Sequence, residues 1–201
     1  MKPLKFSYMQ LTFGQPETYL HPEKTYERLK TCGYDAIEIT PPKGRYGLGV
    51  KMEDYLETHK KLKADYGLAV SCVNECWGEE WDPFSPTYKT LTEPKTADLA
   101  VSETKSSTDF AAELGAPFVT VAVAIHDDIT ANNVAECTAI AVDALRRMAD
   151  YARDKNIRLV FEATNHLEMG KFVNTALNHK RVIELTERDN IGIQLDWFHA
   201  N

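Results

Sequence analysis

Apolar positions along the chain follow two periods that take turns. Short stretches of alternating or continuous apolar character, read as strands, occupy residues 5–10, 34–40, 68–74, 118–124, 157–162 and 191–196. Between them run segments with apolar residues three and four apart, read as helices over about residues 21–32, 51–66, 97–114, 134–155 and 173–187. The first three of these helices are followed by Gly33, Gly67 and Gly115, where a helix closes through left-handed backbone.

Regular alternation of strand and helix favours a parallel sheet wrapped by helices. After the first strand the chain reads Leu11-Thr-Phe-Gly-Gln-Pro-Glu, with neither the glycine-rich turn of a dinucleotide fold nor a phosphate-binding loop. A (β/α)8 TIM barrel takes about 250 residues. The 201 residues present hold about six strands and five helices, and two more units would bring the chain to about 275. The expectation is therefore an α/β fold: one barrel domain over residues 1–201, incomplete, with its last two βα units missing. One connection is unusually long. Residues 77–95, rich in proline and carrying Trp77, Trp81 and Phe84, form a loop of the length that often caps a pocket.

Composition narrows the partners. The chain is 43% hydrophobic and 26% charged, which suits one well-cored domain. Thirty acidic residues against 23 Lys and Arg give a net charge of −7, so no basic stripe invites nucleic acid. No apolar run reaches the roughly 20 residues that cross a bilayer, and the start lacks a signal-peptide pattern. The expected location is cytoplasmic. Cys32, Cys72, Cys76 and Cys137 show no disulfide framework and read as buried or free thiols rather than a zinc site.

In parallel α/β folds the chemistry gathers at the C-terminal strand ends. The fifth strand ends on Glu162 and the sixth on Asp196. Ile157, Leu159 and Phe161 share one face of the fifth strand, as do Ile191, Ile193 and Leu195 on the sixth, and both faces suit a helix layer. The opposite parity carries Arg158, Val160 and Glu162, then Gly192, Gln194 and Asp196, so both carboxylates point into the barrel. Two like charges in a partly dry mouth are kept ionised by a divalent cation, or else share a proton. Carboxylates alone favour Mg²⁺ or Mn²⁺, and added histidines admit Co²⁺ or Zn²⁺. His166, Glu168 and His199 follow these strands; a histidine there can donate to a substrate oxygen or act as acid or base. Trp77 is read as an apolar wall over a ligand or as loop packing. Glu75 and His126, at the ends of strands three and four, line the mouth or face solvent. Glu38 and Arg158, both inward, are read as an internal ion pair.

The run Phe161-Glu-Ala-Thr-Asn-His-Leu-Glu168, the Asn-Thr after Val173, and Asn190-Ile-Gly-Ile-Gln-Leu-Asp-Trp-Phe-His199 together resemble the xylose isomerase-like TIM barrel superfamily. Within it, the sugar phosphate isomerase/epimerase group that includes the D-tagatose and D-psicose 3-epimerases is the most similar in pattern. Gly33-Tyr-Asp-Ala-Ile-Glu38-Ile also looks like that group's second strand. The resemblance implies a metal-dependent isomerase or epimerase of a ketose or sugar phosphate. Glu162 would be a metal ligand and an acid/base catalyst, Asp196 a second metal ligand, and Glu168 and His199 the residues that bind substrate hydroxyls. The metal would be Mn²⁺, Co²⁺ or Mg²⁺, with Zn²⁺ a further candidate, and the reaction would pass through an enediolate. The remaining ligands of the pattern, a histidine on strand seven and a glutamate on strand eight, would lie beyond Asn201, which makes this chain an N-terminal fragment. Alternatives are a dehydratase of the same superfamily, acting on a keto-inositol or dehydroshikimate, and, were the 201 residues the whole product, a non-catalytic sugar-binding or interaction protein. A homo-oligomer is compatible with any of these.

Overall fold

The computed structural model describes residues 5–10, 16–42, 49–75, 91–122, 129–163, 172–197 and 199. Six parallel strands neighbour one another in chain order: β1 (Ser7–Met9), β2 (Ala36–Ile39), β3 (Ala69–Glu75), β4 (Phe118–Ala122), β5 (Arg158–Glu162) and β6 (Ile191–Gln194). Helices α1 (Pro16–Leu20) and α2 (Pro22–Thr31) precede β2; α3 (Met52–Tyr66), α4 (Pro94–Leu114), α5 (Val134–Asp154) and α6 (Ala176–Thr186) each precede the next strand in turn. Sequential parallel strands, each reached through a helix, form the wall of a TIM barrel, here with six staves of eight among the described residues.

Local chemistry explains the element ends. Gly67 closes α3 with φ 63° and Gly115 closes α4 with φ 68°, the left-handed backbone that a side chain disfavours. Pro94 begins α4, three residues before the expected start, because proline needs no hydrogen-bond acceptor at the first helical position. Helix α6 begins at Ala176 rather than 173, since the Thr175 hydroxyl accepts from the Asn178 amide at 3.2 Å and caps it. The five-residue α1 was not expected; it is too short to show a period.

The core lies between sheet and helices. Ile37, Ile39, Val73, Val121, Leu159 and Phe161 face outward from the strands with essentially no exposure. Helix α5 packs against β5 and buries Ala141, Leu145, Met148 and Ala152, its small residues letting the helix sit close. On β5 the expected outer face is therefore buried throughout. On β6 it is buried only at Ile191; Ile193 and Leu195 are 46% and 59% exposed, because among the described residues α6 covers just one flank of this edge strand.

The opposite faces build a polar interior, and its register positions the mouth. Thr120 on β4 pairs with Val160 on β5, which pairs with Gly192 on β6; one pleat higher, Glu162 pairs with Gln194. Between β2 and β3 the register shifts, so that Ile37 faces Val70 but Glu38 faces Cys72. Ser71, the extra residue, donates its hydroxyl to the Ile37 carbonyl at 3.2 Å. A bulge of this kind re-aims the side chains that follow it.

Candidate active site

Glu162 is the last residue of β5 and points inward, with 8% of its surface exposed. Asp196 lies two residues beyond the end of β6 on the same parity. The chain then turns, the His199 amide donating to the Asp196 carbonyl at 3.2 Å, and this turn carries His199 back over the strand ends. One donor atom from each of Glu162, Asp196 and His199 falls within 4.8 Å of the other two. Ligand oxygens and nitrogens sit about 2.0–2.2 Å from an ion such as Zn²⁺, so atoms this close can share one.

The electrostatics of the cluster favour a cation. The Glu162 carboxyl is pushed up to about 7, first by burial, then by the charges of Asp196 and Glu38; a hydrogen bond from Gln194 opposes the rise. Glu38 is also raised, first by burial, with Asn74 opposing and Asp196 adding to the rise. Three carboxyl groups from β2, β5 and the end of β6 thus act on one another inside the barrel. A divalent ion between Glu162 and Asp196 would relieve that repulsion, and the hard oxygen donors with one imidazole suit Mn²⁺, Co²⁺, Mg²⁺ or Zn²⁺.

Glu38 does not pair with Arg158. Its carboxylate accepts from Asn74 Nδ2 at 3.0 Å, while the exposed Arg158 donates to the Asp189 carbonyl at 3.4 Å. Arg158 stands at the first residue of β5, four residues below the mouth, and Glu38 interacts with the upper carboxylates instead. Glu75 also lies elsewhere than expected. Its carboxylate accepts from the Ser107 hydroxyl on α4, which places it in the layer between sheet and helices rather than at the mouth. Glu168, His166, Trp77, His126 and Cys76, together with most of the 77–95 loop, lie outside the described residues. Cys32 and Cys72 are free thiols; burial, then the charge of Glu38, pushes Cys72 up to about 12.

Sequence reasoning missed the polar groups that hold Glu162. Gln194 Nε2 donates to Glu162 Oε1 at 3.3 Å, and the Thr120 hydroxyl donates to Gln194 Oε1 at 2.8 Å. The signal was present, since Thr120 is a polar residue within the apolar strand Phe118-Val-Thr-Val-Ala and Gln194 shares inward parity with Asp196.

Known proteins share this arrangement of strands. L-ribulose 3-epimerase of Methylomonas sp. (strain DH-1) is 36% identical over 66 residues, which is 33% of this chain and 23% of the relative. The crystal structure of D-allulose 3-epimerase from Methylomonas sp. in complex with D-allulose superposes with a TM-score of 0.75 at 23% identity, over 99% of this chain and 64% of that one. A structure of the IOLI protein with a bound zinc atom gives 0.66 at 19% identity, over 98% and 66%. The chain thus spans less than two thirds of the length of each of these proteins. Among the described residues no helix is long and apolar enough to cross a membrane. The family model described as xylose isomerase-like TIM barrel matches residues 26–201, from α2 through the turn that carries His199, and the chain belongs to that family.

Proposed function

We propose that the protein is a divalent-metal-dependent isomerase or epimerase of a ketose or sugar phosphate, and that these residues supply six staves of its single barrel domain. The observation that carries this reading is the convergence of Glu162, Asp196 and His199 donor atoms within 4.8 Å at the C-terminal strand ends. The sugar epimerases among its relatives, and the bound zinc in one neighbour, support it. Free thiols at Cys32 and Cys72 fit a cytoplasmic location.

Glu162 and Asp196 hold the ion. A metal in this position supplies positive charge against the oxygen on which negative charge develops when a proton leaves the carbon beside a carbonyl. Glu162, with a proton affinity near neutrality before any ion binds, has the chemistry of a group that removes or returns that proton. His199 and Glu168 orient the sugar by hydrogen bonds to its hydroxyls. By the resemblance, a glutamate on an eighth strand serves the opposite face of the carbon.

The test uses the longest natural form of the protein, incubated in D₂O with D-allulose, D-tagatose and L-ribulose. Deuterium should enter at the carbon next to the carbonyl, stop on chelation, and resume with Mn²⁺ or Co²⁺. Absence of exchange with every sugar and metal would remove the isomerase reading.

A further inference from the structure

The groups behind Glu162 can be joined in one direction only. An ionised carboxylate accepts hydrogen bonds and donates none, so Gln194 must present its amide NH₂ to Glu162. The amide oxygen of Gln194 is thereby turned away, toward the Thr120 hydroxyl at 2.8 Å. Thr120, fully buried, spends its single hydroxyl proton on that oxygen, which leaves its lone pairs to accept. Cys72 Sγ lies 3.1 Å away as the donor, nearer to Thr120 than to the Val73 carbonyl at 3.6 Å. The order is then Cys72 S–H to Thr120, Thr120 O–H to Gln194, and Gln194 N–H to Glu162.

This chain crosses the barrel interior from β3 through β4 and β6 to the end of β5, and it terminates on the buried carboxylate of Glu162 at the mouth. Buried polar groups rigidify what they touch when every member is satisfied, and here each link fixes the rotamer of the next.

We infer that Thr120 and Gln194 are positioning residues, which clamp one oxygen of Glu162 and leave the other for the cation and the substrate. The inference rests on the reading of Glu162 as a metal ligand. Side chains one step behind a ligand commonly change metal affinity by about 10–100-fold when removed.

The experiment compares Thr120→Val, which keeps the shape and deletes the hydroxyl, with Thr120→Ser, Gln194→Leu and the Thr120→Val/Gln194→Leu double variant in the full chain. Two readouts are taken: the side-chain amide resonances of Gln194 in ¹H–¹⁵N spectra, and Mn²⁺ affinity by electron paramagnetic resonance. Thr120→Val should shift the Gln194 amide resonances and weaken Mn²⁺ by about 10-fold, Thr120→Ser should restore both, and the double variant should bind Mn²⁺ no worse than Gln194→Leu alone. Unmoved Gln194 resonances in Thr120→Val, equal losses in the Val and Ser variants, or additive losses in the double variant would each overturn the inference. Should the parent protein bind no Mn²⁺, the metal-site reading fails, and the Gln194 resonances alone still decide whether Thr120 orients Gln194.

Discussion

Of the regions that bury an ionisable side chain, two do opposite things with it. Between α2 and α3, His59 has no exposed surface and packs against Tyr55, ring centroids 4.3 Å apart, and Tyr26, 5.5 Å apart. The Tyr26 hydroxyl shares a hydrogen bond with its Nδ1 at 3.0 Å, its buried Nε2 has no partner among the described residues, and burial lowers its pKa to about 3. The ring stays neutral and acts as core. At the mouth, Glu162 is also buried but stands among carboxylates, with Asp196 and Glu38 adding their charge to the effect of burial. Burial alone therefore does not make a site. A ring kept neutral by burial among aromatic rings builds structure, whereas charge facing like charge calls for an ion.

The strongest way to break this comparison is to neutralise the mouth. Glu162→Gln and Asp196→Asn should each abolish metal-dependent turnover of the full protein while circular dichroism and the melting temperature show an intact fold; full activity in either variant would defeat the assignment. One residue earlier on the same strand, Phe161 faces the helices with no exposure. Phe161→Ala should cost about 3–5 kcal/mol of stability in denaturant unfolding.

Tyr26→Phe should cost about 1–3 kcal/mol by leaving His59 Nδ1 buried without a hydrogen-bond partner, with Mn²⁺ affinity unchanged; a change in metal binding would tie the two regions together. The regions should also respond to pH with opposite signs. The His59 pKa falls on folding from 6.5 to about 3, so its contribution is fully present above 6.5 and is lost as pH drops toward 3. For Glu162 the pKa rises from 4.5 to about 7, so its contribution is present below 4.5 and is lost as pH rises through 7. Metal-free Glu162→Gln should accordingly be more stable than the parent at pH 8, by an amount on the order of 2 kcal/mol, and equal stability would show that the carboxylate is not strained there. The smallest effect is expected at His199. His199→Ala should raise KM for the sugar more than it weakens metal binding, and the reverse result would move His199 from the substrate to the metal.

Strand parity made much of this legible before any coordinates. On β5 the alternation of Leu159 and Phe161 with Val160 and Glu162 assigns both faces, and the structure buries each as the alternation requires. Gly67 and Gly115 likewise mark helix ends from sequence, because left-handed backbone selects glycine. What stayed hidden depends on geometry between strands. The bulge at Ser71 changes the partner of Glu38, and the outward turn of Glu75 onto Ser107 follows from the frame of β3, which a run mixing Ala69, Ser71 and Cys72 does not reveal. The Glu38–Arg158 pairing failed because equal parity says nothing about height along the barrel axis. Thr120 and Gln194 were visible as polar residues of inward parity, but their contact spans an intervening strand, which no local pattern encodes.

Whether the mouth holds a metal ion is decided by an electron paramagnetic resonance titration of Mn²⁺ into the full, metal-stripped protein. One bound ion per chain is expected, lost in both Glu162→Gln and Asp196→Asn. Mn²⁺ binding that survives both substitutions, or no binding by the parent, would contradict that expectation.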